Sequence, residues 1–233
     1  MSYYRYDEYP SDLLDQIYCN ISKYCKNNQY TLSIIDELAK CGDVYFLGGI
    51  VRDTLLHREF NDIDLVMCNE QNQIIFPSSD KLKHEHHPYI NFIKPNYKSG
   101  YKIYVNNEDP TQSLSFGTKV KKWTQRYKAD EKTIDLWPST DMQKEVASTV
   151  MAFNSIAVHV KTGEVVSTTK ADQFYSAPRD ERFLSINMER VSAEWERCKH
   201  RVKRFKFELN LPYDPEYVLV SQMRKHMTKS HSF

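Results

Sequence analysis

A strand, a glycine pair, a short helix and an acidic strand follow one another closely, and this order constrains the fold more than any other feature. Residues 44–47 form an apolar run typical of a buried strand, and Gly48 and Gly49 end it. Residues 50–57 have the composition of a helix of one or two turns. Because glycine has no side chain, the backbone can approach a ligand, and the helix start directs free N–H groups towards it. The pattern predicts a phosphate-binding turn.

The strand predicted over 62–67 carries two acids, Asp62 and Asp64. Alternate residues of a strand share a face, so both carboxylates project together while Ile63 and Leu65 enter the core. Two carboxylates this close repel each other unless a cation lies between them, and their hard oxygen atoms suit Mg²⁺. An isolated Asp-x-Asp is more often a pair of solvated acids. Its position after the glycine turn and the helix favours a catalytic or metal-binding role.

These residues resemble a known family. LGGIVRDTLLHR at residues 47–58 and DIDLV at residues 62–66 are similar to the head-domain motif of the class II CCA-adding tRNA nucleotidyltransferases and bacterial poly(A) polymerases. That family belongs to the polymerase-β-like nucleotidyltransferase superfamily. The resemblance implies a mixed sheet with packed helices, two Mg²⁺ ions on the Asp-x-Asp pair, and transfer of a nucleoside monophosphate from an NTP to a hydroxyl with release of pyrophosphate. It implies nucleotide binding by Gly48, Gly49, Arg52 and Asp53.

Members of the superfamily usually have a third carboxylate on a neighbouring strand, and Asp135 fits this position. It lies within the apolar strand pattern of residues 133–137, where a charge is costly without a cation or a partner. A strand-edge acid or a salt bridge is the alternative. Asp141 and Glu131 fit less well because their surroundings are polar. The predicted catalytic and metal-binding residues are Asp62, Asp64 and Asp135.

Asn154 is a further predicted nucleotide-binding residue. It lies in MAFNSIAV at residues 151–158, which is similar to a family segment that ends in Asn-Ala and continues into a hairpin. The family has Arg-Arg-Asp before this segment, whereas this chain has ASTV at residues 147–150. The family's base-selecting motif, Glu-Asp-x-x-Arg, cannot be recognised in this sequence either. The resemblance therefore does not extend to the choice of nucleotide.

Two basic stretches are candidates for binding phosphate or nucleic acid. Apolar residues recur at helical spacing over residues 191–209, which resembles the family's neck, and Arg201 and Arg204 share one side of this predicted helix. They suit a triphosphate or a nucleic-acid backbone, or else form a solvated basic face. Residues 119–128 interleave aromatic and basic side chains without an acid. This pattern suits a nucleic-acid acceptor, with a solvated loop as the alternative. The predicted acceptor-binding residues are Lys121, Lys122, Trp123 and Arg126.

The composition is that of a globular chain. Of 233 residues, 40% are hydrophobic and 27% are charged, and no apolar run approaches the ~20 residues of a membrane-spanning helix. The first residues lack a signal-peptide pattern, so we expect a cytoplasmic protein with no membrane partner. The net charge of +1 excludes nucleic-acid binding through overall charge but allows a local basic groove. Five cysteines without a C-x-x-C pair indicate reduced thiols.

The sequence as a whole predicts an α+β fold, a mixed β-sheet nucleotidyltransferase head with packed helices followed by a small helical neck. We expect N-terminal helices packing on the head over residues 1–42, the catalytic domain over 43–175 and the neck over 176–233. CCA-adding enzymes carry further helical domains that grip tRNA, so a chain of this length is expected to transfer one or a few nucleotides rather than complete CCA synthesis.

The expected function is Mg²⁺-dependent transfer from an NTP to an RNA hydroxyl such as a tRNA end. Two alternatives stay open. The missing Arg-Arg-Asp favours a nucleotide-binding module without turnover, although such a module would have little reason to keep two adjacent acids. A transferase acting on a protein or small-molecule hydroxyl, as a toxin or defence effector, is the other alternative.

Overall fold

The computed structural model describes residues 9–25, 28–75, 90–93, 101–105, 132–178 and 213–230, together with 181, 182, 185, 202 and 205. The helices are α1 (Leu13–Tyr24), α2 (Asn28–Cys41), α3 (Gly49–Leu55), α4 (Met142–Ala147), α5 (Thr169–Ser176) and α6 (Pro215–Ser230). The strands are β1 (Asp43–Leu47), β2 (Ile63–Cys68), β3 (Ile90–Ile93), β4 (Tyr101–Val105), β5 (Thr133–Ser139), β6 (Ile156–His159) and β7 (Val165–Ser167). A 3₁₀ turn spans Ala152–Asn154.

The strands form a seven-stranded sheet in the order β3-β4-β5-β2-β1-β6-β7. β2 and β5 run parallel, whereas β1 pairs antiparallel with both β2 and β6. β4 likewise pairs antiparallel with β3 and β5. The mixed sheet with its helices confirms the predicted α+β class. Among the described residues, no helix combines the length and the apolar composition needed to cross a membrane.

The described residues fall into two compact units, one over residues 10–142 and 157–165 and the other over 1–9, 143–156 and 166–233. In the first unit, α1 buries Leu13, Ile17 and Ile21. The spacing of four residues places all three on one side of the helix.

A polar contact ties α1 to the end of α3. The Asn20 side-chain amide donates to the Thr54 hydroxyl at 3.0 Å and to the Arg58 carbonyl at 3.2 Å. Both hydrogen bonds join residues more than thirty positions apart, so they hold the end of α3 against α1. This matters for the site, because α3 follows the glycine turn.

The sequence Thr162-Gly163 between two apolar runs predicts a hairpin turn, and the structure confirms it. His159 and Glu164 are joined by a backbone hydrogen bond of 2.9 Å, and the Gly163 N–H donates to the His159 carbonyl at 3.0 Å. Gly163 has φ of +72°, which glycine adopts without the strain a Cβ would bring.

The sequence predicts that Pro138 ends the strand of residues 133–137, but the proline does not end β5. The strand continues to Ser139, and Pro138 pairs with Met67 of β2. Among the described residues, the pairing of β5 with β4 reaches Leu136, and only β2 pairs with the strand beyond that point. A proline is tolerated there because its missing N–H can face the open side of the strand.

In the second unit, aromatic packing surrounds Phe153, whose ring centroid lies 5.3 Å from that of Phe174 and 4.8 Å from that of Phe205. Of the helix predicted over 191–209, the structure describes Val202 and Phe205, which are helical and buried. The sequence Asp214-Pro215-Glu216 predicts the start of a helix, and the structure confirms it: α6 begins at Pro215, and the Glu216 N–H donates to the Asp214 carboxylate at 2.9 Å.

The cysteines that the structure describes are reduced thiols: Cys19, Cys25, Cys41 and Cys68. Burial raises the pKa of the Cys25 thiol to about 11, and the nearby Glu59 carboxylate adds to the rise. Cys25 is therefore an uncharged core residue at neutral pH.

The end of α3 offers a direct test of the backbone. The N–H groups of His57 and Arg58 donate to the Thr54 and Asp53 carbonyls at 3.0 and 2.7 Å, which is the Schellman arrangement. His57 has φ of +53°, where glycine is preferred. His57→Gly is expected to raise the free energy of unfolding by roughly 0.5–1 kcal/mol, because relief of left-handed strain exceeds the extra entropy that glycine loses.

Chemical denaturation measures this effect, with His57→Ala as the control. The alanine keeps the left-handed strain, so it should bring no gain. Equal unfolding free energies for the glycine and alanine variants would contradict the assignment of strain to this residue.

Candidate active site

Three carboxylates converge at neighbouring positions of β2 and β5. Asp62, Asp64 and Asp135 each offer an oxygen, and these oxygens all lie within 4.8 Å of one another. The parallel register places Asp64 opposite Asp135, while Asp62 directly precedes β2. All three residues are half-buried, and one oxygen of Asp135 is fully buried. The structure thus brings together the three acids that the sequence analysis selected.

The donor set suits a hard divalent cation. Three carboxylates this close repel one another, and a cation between them removes the repulsion. Mg²⁺ prefers oxygen ligands and commonly binds through one or two carboxylates together with substrate phosphates. Among the residues that the structure describes, no other group of His, Cys, Asp or Glu side chains shows this convergence. The residues present therefore fit Mg²⁺.

The glycine turn lies beside this cluster. Gly48 has φ of +64° and ψ of −108°, a combination that side chains with a Cβ rarely adopt, and α3 begins at Gly49. A Cβ built on Gly49 would lie 3.8 Å from Oδ1 of Asp62 and 4.0 Å from Nη2 of Arg52. The turn, the first acid and the arginine therefore surround one small space. That this space receives a ligand stays a prediction.

Arg52 and Asp53 form a buried ion pair within α3. Arg52 Nε donates to Asp53 Oδ1 at 2.8 Å, and Arg52 Nη2 donates to Asp53 Oδ2 at 2.6 Å. The two residues are 4% and 2% exposed, so removing one partner would leave a buried charge at a cost of about 3–5 kcal/mol. Asp53 thus fixes the orientation of Arg52 beside the turn. Direct contact of either residue with a nucleotide stays a prediction.

The remaining predicted residues are placed as follows. Asn154 ends the 3₁₀ turn of the second unit, where its N–H donates to the Met151 carbonyl at 2.9 Å. Its nucleotide contact stays a prediction. The other predicted binding residues lie outside the described residues: Arg201, Arg204, Lys121, Lys122, Trp123 and Arg126.

Sequence analysis overlooked one residue near the site. The ammonium group of Lys132, directly before β5, donates to Glu59 Oε1 at 2.6 Å and to the Phe60 carbonyl at 2.5 Å. These partners are 73 and 72 residues away along the chain. A single lysine at the start of a strand carries no pattern that reveals such a contact.

The sequence pattern of the poly A polymerase head domain matches residues 44–173. The chain belongs to this family. The matched region runs from β1 into α5 and contains the glycine turn and all three carboxylates. Residues 47–58 and 62–66 resemble the head-domain motif of this family, and the match confirms that resemblance.

Individual relatives are CCA-adding enzymes. The chain is 34% identical over 61 residues to the CCA-adding enzyme of Streptococcus pneumoniae serotype 19F (strain G54), a match that covers 25% of this chain and 15% of that protein. It superimposes on a CCA-adding enzyme in complex with CTP with a TM-score of 0.58 and 14% identity, over 93% of this chain and 47% of that one.

The Thermotoga maritima CCA-adding enzyme complexed with tRNA gives a TM-score of 0.53 at 14% identity, over 82% of this chain and 40% of that one. At these identities the solved structures of the relatives establish the fold. This poly A polymerase head-domain protein spans less than half the length of these relatives.

The two glycines of the turn are expected to respond differently to alanine. Gly48→Ala should lower the free energy of unfolding by about 1–3 kcal/mol, because its backbone conformation excludes a Cβ. Gly49→Ala should change it by less than about 0.5 kcal/mol, because the added methyl meets its neighbours at ordinary contact distances. Urea denaturation of both variants measures this difference. A larger loss for Gly49→Ala would contradict the described geometry of the turn.

Proposed function

We propose that the protein is a Mg²⁺-dependent nucleotidyltransferase that moves a nucleoside monophosphate from an NTP to a hydroxyl acceptor and releases pyrophosphate. The observation that carries this proposal is the convergence of Asp62, Asp64 and Asp135 beside the glycine turn. Membership in the poly A polymerase head-domain family supports it, because the matched residues include this whole arrangement.

In this proposal Asp62, Asp64 and Asp135 would hold two Mg²⁺ ions. When bound, the ions lower the pKa of the attacking hydroxyl and neutralise charge on the triphosphate and the leaving pyrophosphate. The chain's own contribution is to keep the three carboxylates at ligand distance on two paired strands, so that little reorganisation is needed when the substrate binds.

The glycine turn would receive the triphosphate. Gly48 and Gly49 leave the backbone open beside Asp62, and Arg52 lies across the same space with its orientation fixed by Asp53. We propose that Asn154, Arg201 and Arg204 make further nucleotide contacts. The positive charge of the arginines suits the triphosphate.

The proposed acceptor is the hydroxyl of an RNA, such as a tRNA end. The solved relatives include CCA-adding enzymes in complex with tRNA, CTP and ATP, which supports an RNA acceptor and an NTP donor for this chain. The basic and aromatic residues Lys121, Lys122, Trp123 and Arg126 support the same acceptor, because phosphates and exposed bases suit such side chains.

The proposal is tested by transfer of label from each α-labelled NTP, in the presence of Mg²⁺, to total cellular RNA and in parallel to total protein. We expect label in a tRNA-sized band. Asp62→Asn and Asp64→Asn should each reduce the transfer rate by roughly a hundredfold or more, because each removes one charged ligand of the site. Thermal unfolding of both variants should show that the fold is retained.

Asp141→Asn is the matched control. It makes the same chemical change on a half-buried acid near β5 that lies outside the carboxylate cluster, so transfer should be preserved. Undiminished transfer by both Asp62→Asn and Asp64→Asn would overturn the assignment. Label on protein would replace the RNA acceptor by a side-chain hydroxyl, and NTP binding without any transfer would favour a binding module.

A further inference from the structure

Lys132 joins two stretches of chain directly ahead of the carboxylate cluster. Its Nζ donates to Glu59 Oε1 at 2.6 Å and to the Phe60 carbonyl at 2.5 Å, and it lies 5.2 Å from the centroid of the Phe60 ring. The Lys132 side chain is only 15% exposed, and Phe60 is fully buried. We call this set of contacts the lysine clamp.

The lysine clamp lies where both acidic strands begin. Phe60 precedes Asp62 by two positions, and Lys132 immediately precedes β5. Since β2 and β5 run parallel and Asp64 lies opposite Asp135, the starts of the two strands lie side by side. The clamp therefore connects the chain leading to one side of the cluster with the chain leading to the other.

The position of the clamp matters because the cluster repels itself. Like charges at directly opposite positions of neighbouring strands are destabilising, and Asp64 and Asp135 occupy such positions. Asp62 adds a third negative charge at the less constrained end, before β2 begins. A contact that ties the segment of Phe60 to the start of β5 opposes the separation of these groups.

Most of this restraint comes from the bond to the backbone. The Phe60 carbonyl is part of the chain leading into Asp62, and the bond is sheltered from water by the low exposure of Lys132. Glu59, by contrast, is 57% exposed, and exposed ion pairs contribute little. The Phe60 carbonyl should therefore contribute more to the restraint than the Glu59 carboxylate does.

We propose that Lys132 is a positioning residue that holds the Asp62 segment against β5, so that the three carboxylates stay at ligand distance for a divalent cation. This inference rests on the proposed metal site. Lys132 acts through Asp62 and Asp135 rather than on the reacting atoms.

The test is Mn²⁺ binding to the full chain, measured by electron paramagnetic resonance, with the thermal unfolding midpoint recorded for each variant. Lys132→Met keeps an unbranched apolar side chain against Phe60 but removes every donor. We expect its dissociation constant for Mn²⁺ to rise about tenfold or more, which is typical for loss of a group that orients metal ligands. Lys132→Arg, which keeps charge and donors, should recover most of the affinity.

Two control variants separate positioning from general stability. Phe60→Leu loses core packing but keeps the backbone carbonyl, so it should lower the unfolding midpoint without weakening Mn²⁺ binding more than about twofold. Glu59→Gln keeps an acceptor and removes only an exposed charge. Its dissociation constant for Mn²⁺ should therefore also lie within about twofold of the wild-type value.

The outcomes distinguish the inference from the proposed function. Normal Mn²⁺ affinity in Lys132→Met, whatever its stability, would overturn the positioning role and leave the metal site standing. Equal losses of affinity in Lys132→Met and Phe60→Leu would also overturn it, because the effect would then follow stability. If the wild type itself binds no Mn²⁺, the proposed metal site fails and the inference fails with it. If Lys132→Met does not fold, Lys132→Leu, which also removes every donor, takes its place under the same criteria.

Discussion

The parallel pairing of β2 with β5 forces like charges together, and the neighbouring structure is organised around that constraint. Asp64 and Asp135 occupy opposite positions of adjacent strands, and Asp62 joins them from the chain before β2. The alternating apolar residues of β2 are fully buried, so a shift of register would carry charges into the core. Hydrophobic packing thus holds in place an electrostatic arrangement that is unfavourable in the absence of a cation.

Two ion pairs lie on the segments next to the cluster. On one side, α3 carries Arg52, which Asp53 orients through two hydrogen bonds. On the other side, Lys132 bonds the chain that enters β2. Asn20 of α1 secures the end of α3, so the turn and the cluster are supported through helix contacts as well as through the sheet. Together these contacts secure the helix that follows the turn and the chain that enters β2.

The sequence was sufficient to predict a feature where the energetic cost of a residue, or its backbone freedom, depends on neighbours close along the chain. Gly48 and Gly49 mark a turn, and Asp135 is conspicuous because an acid is costly within an apolar strand. It was insufficient where the partner is distant along the chain. The end that Pro138 was expected to impose on β5 depends on how far β4 extends, and the role of Lys132 depends on residues more than seventy positions away. Helix α5 was missed because its cap, Thr168, and its buried Phe174 belong to a segment with weak apolar periodicity.

The residues proposed to meet the acceptor lie in the sequence between β4 and β5, outside the strands that carry Asp64 and Asp135. β4 and β5 are adjacent and antiparallel, so the chain between them connects neighbouring positions of the sheet. Each doubling of a flexible connection costs only ~0.6 kcal/mol in closure entropy. Insertions or replacements in this connection can therefore accumulate over evolution while Asp64 stays opposite Asp135. The topology allows the range of acceptors to diversify without rebuilding the chemistry.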